Sequence, residues 1–211
     1  AGGNVVLATD PAAVTPLDLA VGASAPEDGT FVEQAIISKQ ITDELSVKAG
    51  RFLSYSGWET EEPTGLFQYS GTGYAPIFYG YYQQGVSVYY DAGMVDLAVS
   101  VVNDAFANPV ETDTTQLGTE LMFAITPIES VTAKLFYITE GDKEAINFWA
   151  SYSVDAFTFA GEYNTAEDTV FVGSEADGFL VMGNYAVGDF GFTVRYLSLI
   201  HISEPTRRYF I

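Results

Sequence analysis

Apolar residues alternate one by one with small or polar residues along most of this chain. A period of two residues is typical of a β-strand with one apolar face, because successive side chains point to opposite sides of the sheet. A helical period fits the same segments less well. The pattern therefore predicts strands, and the clearest windows are MVDLAVSVVN (94–103), LGTELMFAI (117–125), INFWASYSV (146–154), FTFAGEYN (157–164) and DFGFTVRY (189–196).

The connections between the predicted strands alternate between short and long. In an up-and-down meander every second connection lies at the same end of the sheet, so the tight turns gather at one end and the long loops at the other. Outer-membrane barrels have this asymmetry, together with strands of about ten residues. The short connections are 41–44, 90–94, 125–130, 153–157 and 186–190, and the long ones are 55–77, 104–115 and 164–177, with the shorter 140–144 at the same end.

The length of the alternating segments favours a membrane barrel over a soluble sandwich. Sandwich strands usually run about five or six residues, and these segments are longer. The predicted fold is all-β, an antiparallel up-and-down transmembrane β-barrel that is truncated and has about ten strands or slightly more. Alternation alone does not distinguish this fold from a soluble β-sandwich, which buries its apolar face and exposes its polar one.

Aromatic residues occupy both ends of the predicted strands, on the apolar face. They make up 15% of the chain, with 14 Tyr and 15 Phe. Amphipathic rings prefer the two interfaces of a bilayer, and barrels carry them as two girdles; the alternative is that Tyr and Phe are simply common in strands. The predicted interfacial aromatics are Tyr90, Tyr152, Phe157 and Phe190 beside the short turns, and Tyr82, Tyr137, Tyr163 and Tyr196 near the long loops.

Charged residues on the opposite face are the candidate pore-lining residues. A charge that faces lipid at mid-depth costs about 2–4 kcal/mol, so these side chains are expected to point into the lumen. There they either act on passing solutes or form salt bridges that fill a narrow barrel. The candidates are Lys48, Asp96, Glu120, Lys134, Glu162 and Arg195.

Arg51 is an uncertain member of this set. Continuing the alternation of its strand points the side chain outward. Either Gly50 marks a bulge that changes the phase, or the Arg51 side chain already reaches the lipid headgroups.

Composition excludes several kinds of function. The 211 residues carry a formal net charge of −20, and so acidic a chain offers no basic surface for nucleic acid. With no Cys and one His, the chain lacks the usual residues for nucleophilic catalysis or a metal site. We therefore expect no enzyme activity, no catalytic or metal-binding residues and no cofactor.

The longest predicted loop, 55–77, contains the acidic run WETEE. Glu59, Glu61 and Glu62 crowd there, and a charge cluster in a long loop is more often solvated surface than chemistry. The loop is also long enough to fold inward and constrict a pore, a hypothesis that rests on its length alone.

Four segments follow one another within residues 31–104: FVEQAIIS, KAGRFLSYSGWE, YGYYQQGVSVYY and VDLAVSVVND. Their order resembles the beta-barrel porin-2 (OmpL-like) family of Gram-negative outer membranes, and the resemblance covers most of residues 31–196. Asp104 departs from it, because Gly is usual there, and YSGTGY stands where a more basic run is expected. The resemblance implies a porin-type channel, and it rests on GRF (50–52), GWE (57–59) and VN (102–103).

The C-terminal segment LSLIHISEPTR differs from the rest of the chain. Its alternation lapses, its composition turns basic, and the same peptide is what a common transposase sequencing adapter encodes in this frame. We predict one partial outer-membrane barrel domain over residues 1–196 and an adapter-derived artefact over residues 197–211. His201 is then not a candidate catalyst.

These features together predict a porin-type channel of the bacterial outer membrane. It would allow passive diffusion of small hydrophilic solutes or ions, with a cation preference suggested by the acidic excess. The expected surroundings are outer-membrane lipid and lipopolysaccharide, and the oligomeric state is left open. The alternatives are a plugged structural or adhesive barrel and a soluble secreted β-sandwich that binds carbohydrate; a barrel lipase or protease would need a histidine from outside this sequence.

Overall fold

The computed structural model describes residues 3–10, 31–59, 66–68, 73–106 and 116–203. Within them the backbone forms eleven strands and one short helix, α1 (Ala75–Phe78). No helix in the described part of the chain is long and apolar enough to cross a membrane. The strands are β1 (Gly3–Asp10), β2 (Phe31–Gln40), β3 (Leu45–Leu53), β4 (Tyr82–Asp91), β5 (Val95–Val102), β6 (Gly118–Ile128), β7 (Val131–Glu140), β8 (Lys143–Val154), β9 (Phe157–Glu167), β10 (Glu175–Val187) and β11 (Phe190–Ser203).

All eleven strands belong to one sheet, in which each strand pairs only with its neighbours in sequence. Every pairing is antiparallel. The predicted all-β, antiparallel, up-and-down fold and its approximate strand number are therefore confirmed. Within the described residues the sheet is open, with β1 and β11 at its edges.

The connections follow the predicted alternation. Tight turns join β2 to β3, β4 to β5, β6 to β7, β8 to β9 and β10 to β11, all at one end of the sheet. In the β4–β5 turn Gly93 has a φ of 81°, which favours glycine, and its N–H donates to Asp91 Oδ1 at 2.7 Å. The β9–β10 connection is shorter than predicted, because β9 continues to Glu167 and β10 begins at Glu175.

The distribution of apolar and polar side chains between the two faces of the sheet is the opposite of that in a water-soluble protein. The outer face exposes large apolar side chains, whereas the inner face buries polar ones. An apolar band outside and a polar interior are typical of a transmembrane barrel. Outer-face residues include Val86, Val88, Leu97, Val99, Leu121, Phe123, Leu135, Phe148, Phe159, Val181 and Val194, and inner-face residues include Gln83, Ser87, Ser100, Glu120, Asn147, Glu162 and Asn164.

Most of the predicted interfacial aromatics lie exposed on the outer face. Near the long loops, the Tyr163 hydroxyl donates to Asp177 Oδ1 at 3.0 Å and the partly exposed Tyr137 donates to Glu144 Oε1 at 2.9 Å. Such a ring has an apolar body and a tip held by a polar partner, which suits a membrane interface. The exposed members are Tyr90, Tyr152, Phe157, Tyr163, Phe190 and Tyr196.

Tyr82 differs from the expectation of an exposed ring, because it is only 5% exposed. Its ring centroid lies 5.7 Å from the Arg51 guanidinium carbon, and it makes an edge contact with Tyr81. The strand begins here beside the preceding loop, where the Ser54 N–H donates to the Tyr81 carbonyl oxygen at 2.9 Å. Neighbouring chain segments therefore cover a ring that the alternation places outside.

The register of β3 through Gly50 excludes a bulge that changes the phase of the strand before Arg51. β3 pairs with β4 without a register shift from Leu45 to Leu53, so Gly50 does not change the phase. Gly50 has a φ of 126°, and a Cβ at this position would collide with the Ala35 carbonyl oxygen. The glycine thus serves a close approach of two strands, and Arg51 stays in register with Gln84. Its own side chain is only 9% exposed and lies beside the covered Tyr82 ring, so it does not extend freely into the surroundings of the barrel.

Strand β11 continues beyond the boundary at residue 196. Its pairing with β10 extends to Ser203, with one register shift beside Gly178. The edge of β10 offers backbone partners there, and backbone pairing depends little on which side chains the partner carries. The pairing therefore does not test the adapter-derived origin of residues 197–211, which stays a prediction.

Candidate pore interior

The β3–β4 connection lies on the inner face of the sheet. We call residues 54–81 the inward loop, of which 54–59, 66–68 and 73–81 are described. Its hydrogen bonds reach β6, β8, β9 and β11, so it crosses most of the inner face. Within it, Phe78 of α1 is fully buried beside Gly178, where a Cβ would lie 2.7 Å from the Phe78 ring. The described parts of the loop fold inward, as its length suggested.

Glu120 of β6 holds the start of the inward loop. Its Oε1 accepts the Tyr55 N–H at 2.9 Å, and its Oε2 accepts the Ser54 hydroxyl at 2.8 Å. Gln83 of β4 donates to the same Oε2 at 2.7 Å. The side chain is 1% exposed. A buried carboxylate needs donors on both oxygens, and the loop supplies most of them.

Lys48 of β3 lies between two aromatic rings beside Glu120. Its Nζ is 3.8 Å from the Tyr55 ring centroid and 4.1 Å from that of Phe52. The ammonium is within electrostatic reach of the Glu120 carboxylate. Cation–π contacts of this kind stabilise a charge whose hydration is incomplete. The predicted pore-lining residues Lys48 and Glu120 therefore lie together.

Glu162 of β9 is the second carboxylate under the inward loop, and it is 4% exposed. Its Oε1 accepts the Trp58 N–H at 2.9 Å and the Asn147 side-chain N–H at 2.5 Å. Its Oε2 accepts the Tyr74 hydroxyl at 3.1 Å and also the Tyr79 hydroxyl. Three of these four donors belong to the loop, so Glu162 binds both its early and its late part.

Two tyrosines of the inward loop are kept in the protonated form. Burial raises the pKa of Tyr74, and the nearby Glu162 carboxylate raises it further. Burial also raises the pKa of Tyr55, while its hydrogen bond with Ser87 acts in the opposite direction. Near neutral pH the Tyr74 phenol is therefore a hydrogen-bond donor to Glu162.

Glu59 and Arg195 form an ion pair that ties the inward loop to β11. Arg195 Nη1 lies 2.5 Å from Glu59 Oε2, and Gln68 donates to Glu59 Oε1 at 2.6 Å. Glu59 is 4% exposed, so its interpretation as solvated surface is wrong. This role could not be predicted from the sequence, because alternation predicts the direction of side chains only within strands, and Glu59 lies in a long loop. Glu61 and Glu62 lie outside the described residues.

Asp96 of β5 and Lys134 of β7 lie together nearer the short turns. Both align with Ala124 of β6, and Lys134 is within electrostatic reach of Asp96. Tyr89 of β4 is also within electrostatic reach of Asp96. Lys134 Nζ lies 5.3 Å from the Trp149 ring centroid. All four side chains belong to the wall of the sheet rather than to the inward loop.

The six candidate pore-lining residues thus share the inner face but fall into three groups. One group is Lys48 with Glu120, another is Asp96 with Lys134, and the third is Glu162 and Arg195, each of which binds the inward loop. Sequence reasoning gave no individual role to the polar partners of the carboxylates. The sequence feature that could have identified these partners is a polar residue at an inward position of an otherwise apolar strand, as for Gln83 and Asn147.

Solved structures with a similar fold are porins. A mutant of the Rh. blastica porin is 17% identical with a TM-score of 0.57, and a triple mutant of the Rhodopseudomonas blastica porin is 16% identical with a TM-score of 0.54. Each alignment covers 84% of this chain and 65% of that porin, so the chain spans about two thirds of the porin length. No curated protein matches in sequence. At these identities the likeness concerns the fold.

The family comparison covers nearly all of the described sheet. The matching family model extends over residues 3–194, from β1 into β11. It is described as "Putative beta-barrel porin-2, OmpL-like", in agreement with the resemblance found in the sequence. The chain therefore belongs to this porin-like β-barrel family.

Proposed function

We propose that the intact protein is a channel of the bacterial outer membrane for passive diffusion of small hydrophilic solutes or ions. The observation that carries this proposal is the inward loop, which Glu120, Glu162 and Glu59 tie across a polar inner face. A loop held in this way narrows a lumen without changing the barrel wall. A pore narrowed by polar and charged groups selects solutes by size and charge.

The surroundings proposed for the barrel follow from its outer face. The exposed apolar side chains would contact outer-membrane lipid, and the rings near the long loops would lie close to lipopolysaccharide headgroups. The family and fold are those of a channel rather than an enzyme.

Selectivity for cations is a finer part of the proposal. The net charge of −20 raises the local concentration of cations near the mouth. Within the lumen we assign pore-lining roles to Lys48, Asp96, Glu120, Lys134, Glu162 and Arg195. Glu120 and Glu162 act chiefly as tethers of the inward loop, which leaves Asp96 as the carboxylate that passing ions meet.

A plugged barrel is the second candidate function, and the number of carboxylates that hold the inward loop favours it. Three carboxylates hold the inward loop, and Glu120 and Glu162 are almost fully buried. If the loop closes the lumen completely, the protein would serve adhesion or anchoring.

A planar-bilayer recording of the intact protein tests the proposal. The protein is refolded, its insertion is verified by heat-modifiable migration, and conductance and reversal potential are recorded in a salt gradient. Discrete steps with a cation-selective reversal potential support a channel. A silent bilayer with correctly inserted protein would overturn the channel and favour the plug.

A further inference from the structure

Three aromatic rings meet on the inner face, between the inward loop and the wall of the sheet. Trp58 and Phe67 belong to the loop, and their rings are stacked with centroids 5.8 Å apart. Trp149 of β8 makes an edge contact with Trp58, with ring centroids 5.1 Å apart. We call these three residues the aromatic shelf. Phe67 is 39% exposed, so part of its ring is open beside the contact with Trp58.

Hydrogen bonds fix the Phe67 end of the aromatic shelf on the side of the short turns. The Phe67 carbonyl oxygen accepts the Thr193 hydroxyl at 2.8 Å, and Asn184 donates to Thr193 at 2.7 Å. The Asn184–Thr193 pair lies nearer the short turns than Trp149 does. A ring held in place in this way binds a ligand with little further cost for ordering.

The two indole N–H groups of the aromatic shelf have no hydrogen-bond acceptor among the described residues. Trp149 is only 8% exposed. A buried indole N–H usually finds an acceptor, because an unpaired buried donor costs free energy. Two unpaired donors on rings that touch each other point to an acceptor that a bound molecule supplies.

Lys134 and Asp96 bring one charge of each sign to the level of Trp149. Both pair in register with Ala124, and Lys134 pairs directly with Trp149. Lys134 Nζ lies 5.3 Å from the Trp149 ring centroid, and both charged side chains are partly exposed. The ammonium disfavours a cationic ligand and the carboxylate an anionic one, whereas both bind hydroxyl groups. The pair therefore suits a neutral ligand with many hydroxyls.

The wall between the aromatic shelf and the short turns carries small hydroxyl side chains. Thr126, Thr132 and Ser151 occupy the next inner positions of β6, β7 and β8, and all three are partly exposed. The Thr126 and Thr132 hydroxyl oxygens are 3.4 Å apart. Such side chains take up little of the lumen, and they can both donate hydrogen bonds to a ligand and accept them from it.

We propose that the aromatic shelf binds a neutral saccharide in the lumen. A pyranose ring has an apolar face of C–H groups, which stacks on Phe67, and oxygen atoms around its rim, which accept the indole N–H groups of Trp58 and Trp149. Lys134 and Asp96 bind further hydroxyls. An aromatic lining with a few placed polar groups is typical of small-molecule sites. The inference rests on the proposed channel function, for which it names the class of solute.

Isothermal titration calorimetry of the intact protein in detergent micelles tests the aromatic shelf without requiring conduction. The probes are maltotriose and cellotriose, and at least one of them should bind. Mannitol has hydroxyls but no ring face, and it should bind at least about tenfold more weakly. Phe67→Ala removes the stacking ring, and Trp149→Phe removes one N–H while it keeps an aromatic ring. Each should raise the dissociation constant about three- to tenfold.

Phe171→Ala is the matched control, because Phe171 is also 39% exposed but lies in the β9–β10 connection. It should leave the dissociation constant unchanged. If Trp149→Phe does not fold, Phe67→Ala alone decides, since its ring is partly exposed on the loop. The aromatic shelf is overturned by absent binding of both trisaccharides, by equal binding of mannitol, or by an unchanged dissociation constant in Phe67→Ala.

Planar-bilayer recording with the same trisaccharides separates this inference from the proposed channel. Discrete conductance that the bound trisaccharide reduces supports both. Discrete conductance without calorimetric binding overturns the aromatic shelf and leaves the channel. Calorimetric binding to a correctly inserted but silent barrel overturns the channel and keeps the saccharide site.

Discussion

Two parts of the inner face use carboxylates differently. Beneath the inward loop, both oxygens of Glu120 and of Glu162 accept hydrogen bonds, mostly from the loop. Nearer the short turns, Asp96 acts on Tyr89 and Lys134, and both of these belong to the barrel wall. A charge surrounded by fixed donors acts as a tether, because those donors offset its field. A partly solvated charge still acts on whatever passes.

Replacement of the most highly bonded tether should have the largest effect. Glu162→Ala removes the acceptor of four hydrogen bonds, including that of the partly buried Trp58 N–H. We expect the free energy of unfolding to fall by about 3–5 kcal/mol. Denaturant titration followed by tryptophan fluorescence measures this, since both tryptophans, Trp58 and Trp149, lie at this site. Glu175→Ala, at an exposed position, is the control; equal losses in the two variants would contradict the tether.

The ion pair at the far end of the inward loop should contribute less. Glu59→Gln leaves Arg195, which is 15% exposed and keeps some access to water. We expect a loss of about 1–3 kcal/mol in the free energy of unfolding. Glu129→Gln, at an exposed turn position, removes the same charge and should change stability by less than about 0.5 kcal/mol. Indistinguishable stabilities of the two variants would mean that the pair does not hold the loop.

Substitution of the wall pair should change selectivity and leave stability nearly unaltered. Asp96→Asn should shift the reversal potential towards anions, and Lys134→Gln should shift it towards cations, because each removes one sign of charge from the lumen. The unfolding free energy should change by less than about 1 kcal/mol for these partly exposed groups. The comparison fails if Glu120→Gln shifts the reversal potential more than Asp96→Asn does.

The strands and their faces could be predicted because a period of two determines the direction of every side chain within a strand. Asp96, Glu120 and Glu162 were placed on the inner face in this way, and the register agrees. The alternation of short and long connections, a separate pattern, predicted that the short turns gather at one end. It carries no information beyond the strand ends, where Tyr82 proved to be covered rather than exposed.

The partners of the inner-face charges could not be predicted, because they come from a segment without periodicity. Trp58 and Tyr79 reach Glu162 across 104 and 83 residues of sequence, and nothing in a loop's composition specifies which strand it contacts. Asp104 shows the same limit. The charged groups that act on Asp104 are Glu140, Lys143 and Arg51, which come from three different strands.

The pairing of every strand with its chain neighbours has a consequence for the order of assembly. The sheet can grow strand by strand, since each strand pairs with its neighbour in sequence and every second connection is a tight turn. Docking of the inward loop instead requires contacts as distant as Arg195 with Glu59, 136 residues apart. The loop emerges near the beginning of the sheet but cannot complete its attachment until β11 is in place, so the wall of the barrel precedes its interior.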